Sequence, residues 1–244
     1  MECVNKISAN YRRGYNNLSV ICRENWDLYF AQKFIFNSVA IEGNTCTQSE
    51  VMIIMQDGTL PADKSLEEAQ EVKYHQKAWD YAKQNYKTQV LDEQMILKLH
   101  KKVLYHKEDL RPGEYRKVDI IIRNAEYSPP KAHHVNRFLQ EYYTKLNEHW
   151  QNPIKKAAYA HAELTKIHPF TDGNGRTSRT VMNYILLQAW LPPVAITCNE
   201  KDEYFEALAV YDKTGSTEQI EQIIKFCVQK EYDMFKKMYL DDAD

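Results

Sequence analysis

Glycine and proline are scarce in this chain: 7 and 8 of 244 residues. Against an abundance of Lys, Glu, Gln, Leu and Ala, that scarcity argues for helices and against low-complexity sequence. The five cysteines, at positions 3, 22, 46, 198 and 227, are odd in number and form no CxxC pair. That excludes a disulfide framework and suits a reducing cytoplasm. Neither sign of charge dominates: the formal net charge is −2 and the pI about 6.5, so nothing marks the chain as a nucleic-acid binder. No apolar run approaches the ~20 residues of a membrane span, and the start has no signal-peptide core. A cytoplasmic protein with no membrane partner is expected. The length suits one large domain or two small ones, and no internal repeat is present.

What is there is mostly helical pattern. Trp26, Phe30 and Phe34 recur every four residues, predicting a helix from about Trp26 to Glu42, stopped by Gly43. The polar segment before it, residues 1–24, reads as a short leading helix or a partly ordered lead-in. Thr47-Gln-Ser-Glu50 is a capping box opening a helix through Met55. Further helices are predicted over Ser65–Tyr86, from an Asp92 cap onward, over His133–Trp150, Asn199–Tyr211 and Ile220–Tyr239. His100 and His106 read as structural or exposed. The one strongly β-branched run, Val118–Arg123, followed by Asn-Ala-Glu-Tyr-Ser-Pro-Pro, reads as a small hairpin. His133-His134 lacks the second ligand pair that a metal site needs, and the acidic tail 241–244 reads as solvated.

The chemistry is concentrated in His168-Pro-Phe-Thr-Asp-Gly-Asn-Gly-Arg-Thr-Ser-Arg179. A helix over Ile154–Ile167 must end near His168, because Pro169 disfavours helical backbone before it. An apolar helical run follows over Thr180–Trp190, so the loop leads into a helix N-terminus. Such a terminus has unpaired N–H groups and a positive dipole end, which attract anions. Gly173 and Gly175 allow close backbone approach, and Arg176 and Arg179 share one face as permanent phosphate forks. Asp172 can hold Mg²⁺ together with nucleotide phosphates. His168 can take a proton near neutral pH. Asp-Gly-Asn-Gly alone is also a good turn, but a turn needs neither the histidine nor the arginines. The string lacks the lysine and spacing of a P-loop.

His168, Phe170, Asp172, Gly173, Asn174, Gly175, Arg176 and Arg179 match the motif HxFx(D/E)GNGRxxR throughout, and in this the chain resembles the Fic-domain proteins. The resemblance implies a mainly α Fic-type helical bundle with one β-hairpin flap. It implies a protein adenylyltransferase, which moves AMP from Mg-ATP (Mn²⁺ being an alternative ion) to a Ser, Thr or Tyr hydroxyl of a target protein, or of itself, and releases pyrophosphate. His168 is then the base and Asp172 the metal ligand. Asn174 and the Gly173 and Gly175 amides form the anion hole, Arg176 and Arg179 hold the β- and γ-phosphates, and Phe170 anchors the loop. Ser38-Val-Ala-Ile-Glu-Gly-Asn44 resembles the family's inhibitory motif (S/T)xxxE(G/N), with Ser38 and Glu42 one turn apart and Glu42 pairing with Arg179.

The resemblance also implies that residues 1–90 are a regulatory extension on a core of 91–244. Its inhibitory helix would span about 26–44. The flap residues Ile122, Arg123, Asn124 and Ala125 would border the nucleotide and receive the target by strand addition. Tyr204 and Phe205 would line the adenine pocket, though such a pair is equally a packing pair. The sequence departs from the family's usual glycine at Trp190 and usual asparagine at Asp212. Three alternatives stay open: transfer of another phosphate-containing group, removal of AMP on the same site with Glu42 orienting water, and a non-enzymatic nucleotide-sensing module. A homodimer through the aromatic N-terminal helices is a further alternative.

Overall fold

The computed structural model describes residues 2–122 and 127–240. Ten α-helices follow one another: α1 Glu2–Asn17, α2 Val20–Ile41, α3 Gln48–Asp57, α4 Leu66–Asn85, α5 Glu93–Val103, α6 Val135–Leu146, α7 Pro153–Ile167, α8 Asn174–Gln188, α9 Lys201–Thr214 and α10 Glu218–Tyr239.

Helix α8 is the axis of the bundle. Its polar-looking sequence is buried on every side, from Asn174 through Leu187 with Gly175 as the gap. A helix buried all round must have neighbours all round, and α2, α4, α5 and α7 pack against it. Helix α7 packs most extensively on it, and its buried residues include the small Ala157, Ala158, Ala160 and Ala162. Alanine lets two backbones approach closely without loss of side-chain entropy.

The ends of the helices follow local rules. Thr47–Glu50 and Ser65–Glu68 are complete capping boxes, and Asp92 and Asn152 accept N-cap bonds at α5 and α7. Gly58 and Gly215 end α3 and α9 in the left-handed conformation. Trp190 follows α8 at φ 56°, also left-handed. A glycine would suit that position sterically.

Helix α2 begins earlier than the aromatic spacing suggests, because Ser19 caps it at Cys22. The segment before it is a full helix. Val4, Ile7, Tyr11 and Tyr15 are spaced along one buried stripe of α1. Trp26 donates to the Tyr11 hydroxyl at 2.9 Å and meets Phe235 of α10 edge-on. Phe30 and Phe34 lie 5.3 and 5.0 Å from the Trp79 ring of α4. Burying each such ring stabilises the fold by roughly 2–3 kcal/mol, so α2 is held firmly between α4 and α10. One continuous apolar cluster runs from Val4 to Phe235.

No strand forms among the described residues. Residues 119–122 are without regular structure, and Arg123, Asn124 and Ala125 lie outside the described residues. The hairpin expected over 118–123 is therefore not shown. The expected solvated tail, 241–244, also lies outside them. No helix among the described residues is long and apolar enough to cross a membrane.

Candidate active site

The site sits in the loop between α7 and α8. His168 ends α7 at φ 49°, with its N–H bonded to the Leu164 carbonyl. That left-handed turn swings the imidazole off the helix axis. Nδ1 lies 3.1 Å from the Thr165 carbonyl. A carbonyl only accepts, so Nδ1 carries the proton and Nε2 keeps its lone pair. Burial lowers the His168 pKa below its ordinary value, against smaller opposing contributions from the Thr165 bond and the Glu42 charge. The ring is thus a neutral base at pH 7 with one defined basic atom.

The loop is fixed from three directions. Phe170 is fully buried, and its backbone N–H and C=O are both taken by the Asn174 side chain, each at 2.9 Å. His100 of α5 stacks on the Phe170 ring at 3.6 Å and 7°. Its Nδ1 accepts from the Gly113 N–H at 2.9 Å, and Nε2 lies 3.0 Å from the Asp172 carbonyl. Those partners require the neutral tautomer with the proton on Nε2. Burial agrees, pushing the His100 pKa down to about 4. Arg116 is the third support. Its Nε donates to the His168 carbonyl at 2.8 Å, Nη1 to Val118 at 3.0 Å and Nη2 to Pro130, while its backbone N–H bonds Pro169. Of the two readings the sequence left for His100, structural or exposed, the buried, structural one holds. Arg116 was not singled out, because an arginine in a turn has no local signature.

At the N-terminus of α8 the amides are partly assigned. Gly173 adopts φ 73°, and a side chain there would press on Val103 and Leu104. Its N–H is taken by the Asp172 carboxylate at 2.6 Å. The first intrahelical bond is Thr177 N–H to Gly173. By helix geometry the amides of residues 174–176 then have no intrahelical acceptor. The free amides at the start of the helix thus lie around Gly175, and the Asn174 side chain closes the loop.

Arg176 is buried, and its Nε and Nη1 have no hydrogen-bond partner. Glu71 of α4 and Asp172 stand at 3.7 and 3.5 Å. Unmatched buried guanidinium donors carry a large desolvation cost, so they point to a ligand with acceptor oxygens. The Asp172 pKa is lowered: burial opposes ionisation, but Arg176, the Gly173 amide and Lys107 outweigh it.

Arg179 is also buried, but engaged through Nε and Nη2. Its Nε donates to Ser38 Oγ at 2.9 Å, and Nη2 to the Ser38 carbonyl at 2.8 Å and to Glu42 Oε1 at 2.7 Å. Burial works against the Glu42 charge, yet Arg179, with Arg176 behind it, lowers the Glu42 pKa. The ionised carboxylate rests directly over Gly175, where an added Cβ would collide with Glu42 Oε1. A fixed negative charge therefore lies at the positive end of α8.

The remaining expected residues are spread around this centre. Tyr204 is buried, 2.9 Å from His161 Nε2, while Phe205 beside it is 45% exposed. Only Phe205 of the pair presents its ring to the surface. Ile122 is half-buried; Arg123, Asn124 and Ala125 lie outside the described residues. The Asp212 pKa is pushed up to about 6 by burial, with Lys166 lowering and Glu163 raising it.

Comparison with known proteins places this geometry. Residues 90–186, from the start of α5 almost to the end of α8, match the Fic/DOC family. The chain is 32% identical over 228 residues to a protein adenylyltransferase Fic of Drosophila persimilis, an alignment covering 91% of this chain and 43% of that protein. This chain carries a Fic/DOC domain over residues 90–186. It spans less than half the length of the curated Fic relatives it matches. Among solved structures, a Fic-domain-containing signaling protein from Bacteroides thetaiotaomicron superposes with a TM-score of 0.84 at 22% identity, covering 95% of both chains. Fic-1 from C. elegans gives 0.78 at 25% identity, covering 96% of this chain and 71% of that one. Both Fic likenesses extend through α1–α4, beyond the family match.

Proposed function

We propose that this chain is a protein adenylyltransferase held in an autoinhibited state by Glu42. The observation that carries the reading is the Glu42 carboxylate bound to Arg179 over the N-terminus of α8, with unmatched Arg176 donors beside it. The relatives named protein adenylyltransferase Fic support the reaction class.

In this reading ATP lays its phosphates across the α8 terminus, on the amides around Gly175 and on Arg176 and Arg179. Nε2 of His168 removes the proton from a Ser, Thr or Tyr hydroxyl of the target protein, and the oxygen attacks the α-phosphorus. The bond to the β-phosphate oxygen breaks and pyrophosphate leaves with its electrons. Fixed amides and arginines stabilise the charge as it develops. Phe205 and Ile122 would border the base, and the segment through Ala125 would receive the target.

The donor set suits Mg²⁺. Asp172 offers one carboxylate oxygen, Oδ2, that is free of the backbone and faces Lys107 at 3.5 Å. Among the described residues no group of three or more acidic, His or Cys side chains is placed to hold a metal ion by itself. An ion here takes most of its ligands from phosphate and water, as Mg²⁺ does. When bound, it supplies charge neutralisation on the phosphates.

Residues 1–90 serve as the regulatory extension and 91–244 as the core. The five free cysteines fit a reducing cytoplasm. Transfer of label from α-³²P-ATP tests the proposal. Wild type should label itself weakly, Glu42→Gly strongly, and Glu42→Gly with His168→Ala not at all. Equal labelling of the last two would refute His168 as the base. Ready release of AMP from a labelled protein by the wild type would instead favour Glu42 as the group orienting water.

A further inference from the structure

The chain leaving α2 does not hang free after Glu42. Asn44 Nδ2 donates to the Glu68 carbonyl at 3.1 Å and to Glu71 Oε2 at 3.0 Å, and Asn44 Oδ1 accepts from the Cys46 N–H. The Asn44 side chain is thereby buried against the first turns of α4. Thr45 adds two bonds to the Glu68 carboxylate. Two residues beyond Glu42, the backbone is thus pinned to α4.

Glu71 has a second attachment. While Oε2 holds Asn44, Oε1 faces Arg176 Nη1 at 3.7 Å and Lys107 Nζ at 3.9 Å. Lys107 in turn reaches Asp172. One carboxylate therefore has one oxygen on the end of the inhibitory helix and the other on an arginine of the phosphate site. Both arginines of the motif face a carboxylate from the N-terminal extension, Arg179 facing Glu42 and Arg176 facing Glu71.

We infer that Glu71 is a positioning residue: through Asn44 it seats Glu42 over the α8 terminus, and through Arg176 it senses phosphate. This rests on the autoinhibited reading above. A phosphate that takes Arg176 withdraws that arginine from Glu71 and alters the charge balance that holds Asn44. Linkage makes the effect reciprocal: loosening Asn44 must make phosphate easier to bind. Asn44 touches neither arginine, so an effect of its loss on nucleotide binding passes either through the end of α2 to Glu42 or through Glu71 to Arg176, and the Glu42→Gly background separates the two routes.

The test measures ATP and ADP affinity in full-length His168→Ala protein, which binds without turnover. The variants are Asn44→Ala, Glu71→Ala and both together, each with and without Glu42→Gly, with thermal melting as a check of folding. Asn44→Ala should raise ATP affinity three- to tenfold while Glu42 is present, leave ADP within twofold, and have no effect in the Glu42→Gly background. It should also add nothing to Glu71→Ala. A merely structural role would not move the ratio of ATP to ADP affinity. The inference is overturned if Asn44→Ala changes nothing, or acts equally with and without Glu42. Glu71→Gln, which keeps the volume, replaces Glu71→Ala if the latter unfolds. If Glu42→Gly itself leaves ATP affinity unchanged, the autoinhibited reading fails instead.

Discussion

Replacing Glu42 by glutamine removes one charge and almost no volume. The Arg179–Glu42 bond is 2.7 Å long, with Arg179 buried and the Glu42 side chain 40% exposed. A charge-assisted hydrogen bond contributes roughly 1.5–3 kcal/mol when shielded. Exposed pairs measure only about 0.2–1. The half-open carboxylate belongs near the boundary, at about 1 kcal/mol, or about fivefold in affinity. Either substitution also takes the negative charge away from Gly175, and glycine clears the volume as well. Two unit charges ~5 Å apart in a partly screened cleft repel by about 2 kcal/mol. The sum, about 3 kcal/mol, is on the order of a 100-fold gain. Calorimetric titration of His168→Ala protein with ATP and ADP should therefore show a gain of about 30-fold for Glu42→Gln, which loses the repulsion but keeps a neutral bond to Arg179, and of about 100-fold for Glu42→Gly, which loses both. The gain should be confined to ATP, whose terminal phosphate would meet Arg179. An equal gain for ADP, or none for either nucleotide, would refute the reasoning.

Other outcomes follow from the same geometry. Because burial lowers the His168 pKa, the ring is already neutral above pH 6.5. Labelling by Glu42→Gly should be flat from pH 7 to 8, with its acid limb below 6.5. A limb above pH 7 would contradict the neutral base. The His100 pKa falls from 6.5 to about 4 on folding. The folded protein thus binds fewer protons, and stability is lost as pH drops from 6.5 toward 4, by up to about 3 kcal/mol from this residue. His100→Gln should flatten that part of the melting-temperature profile, and His100→Ala should reduce labelling at pH 7.5 by ten- to 100-fold in the Glu42→Gly background. Trp26→Ala removes a fully buried ring and should cost about 3–5 kcal/mol in denaturant unfolding. Trp190→Gly relieves a left-handed position at roughly 1 kcal/mol but loses the ring contact with Tyr86. Its unfolding free energy should change by less than about 1 kcal/mol, and its labelling should not change.

The helical order of the chain was legible because capping boxes, N-caps and apolar periodicity are local. Thr47–Glu50 and Asp92 could be placed to the residue. The 168–179 loop was legible because its residues form one unbroken string. Glu42 was visible only through a motif, since nothing local says that it crosses to Arg179. The partners of His100, Arg116, Asn44 and Glu71 were not visible, for one shared reason. Each makes long-range polar bonds, and partners 13 to 72 residues apart leave no spacing to detect. Helix α1 was hidden by its polar composition, although Val4, Ile7, Tyr11 and Tyr15 already traced a stripe. Over 118–122, β-branched residues favour a pleated, half-buried surface, but pairing depends on a partner segment, and the expected turn lies outside the described residues.

The tether between Glu42 and the rest of the chain fixes how inhibition behaves as chemistry. A carboxylate joined to the site by α2 is a competitor whose effective concentration is set by geometry, of millimolar order or above. Dilution cannot weaken it, as dilution weakens a separate inhibitor, and no change in abundance alters its ratio to the site. Nucleotide supply alone is therefore a poor trigger. A signal that moves α2 at its far end, where Trp26 rests between Tyr11 and Phe235, would change that effective concentration at once. Under the autoinhibited reading, the control point of the site extends to the seam between the first and last helices, away from the α8 terminus.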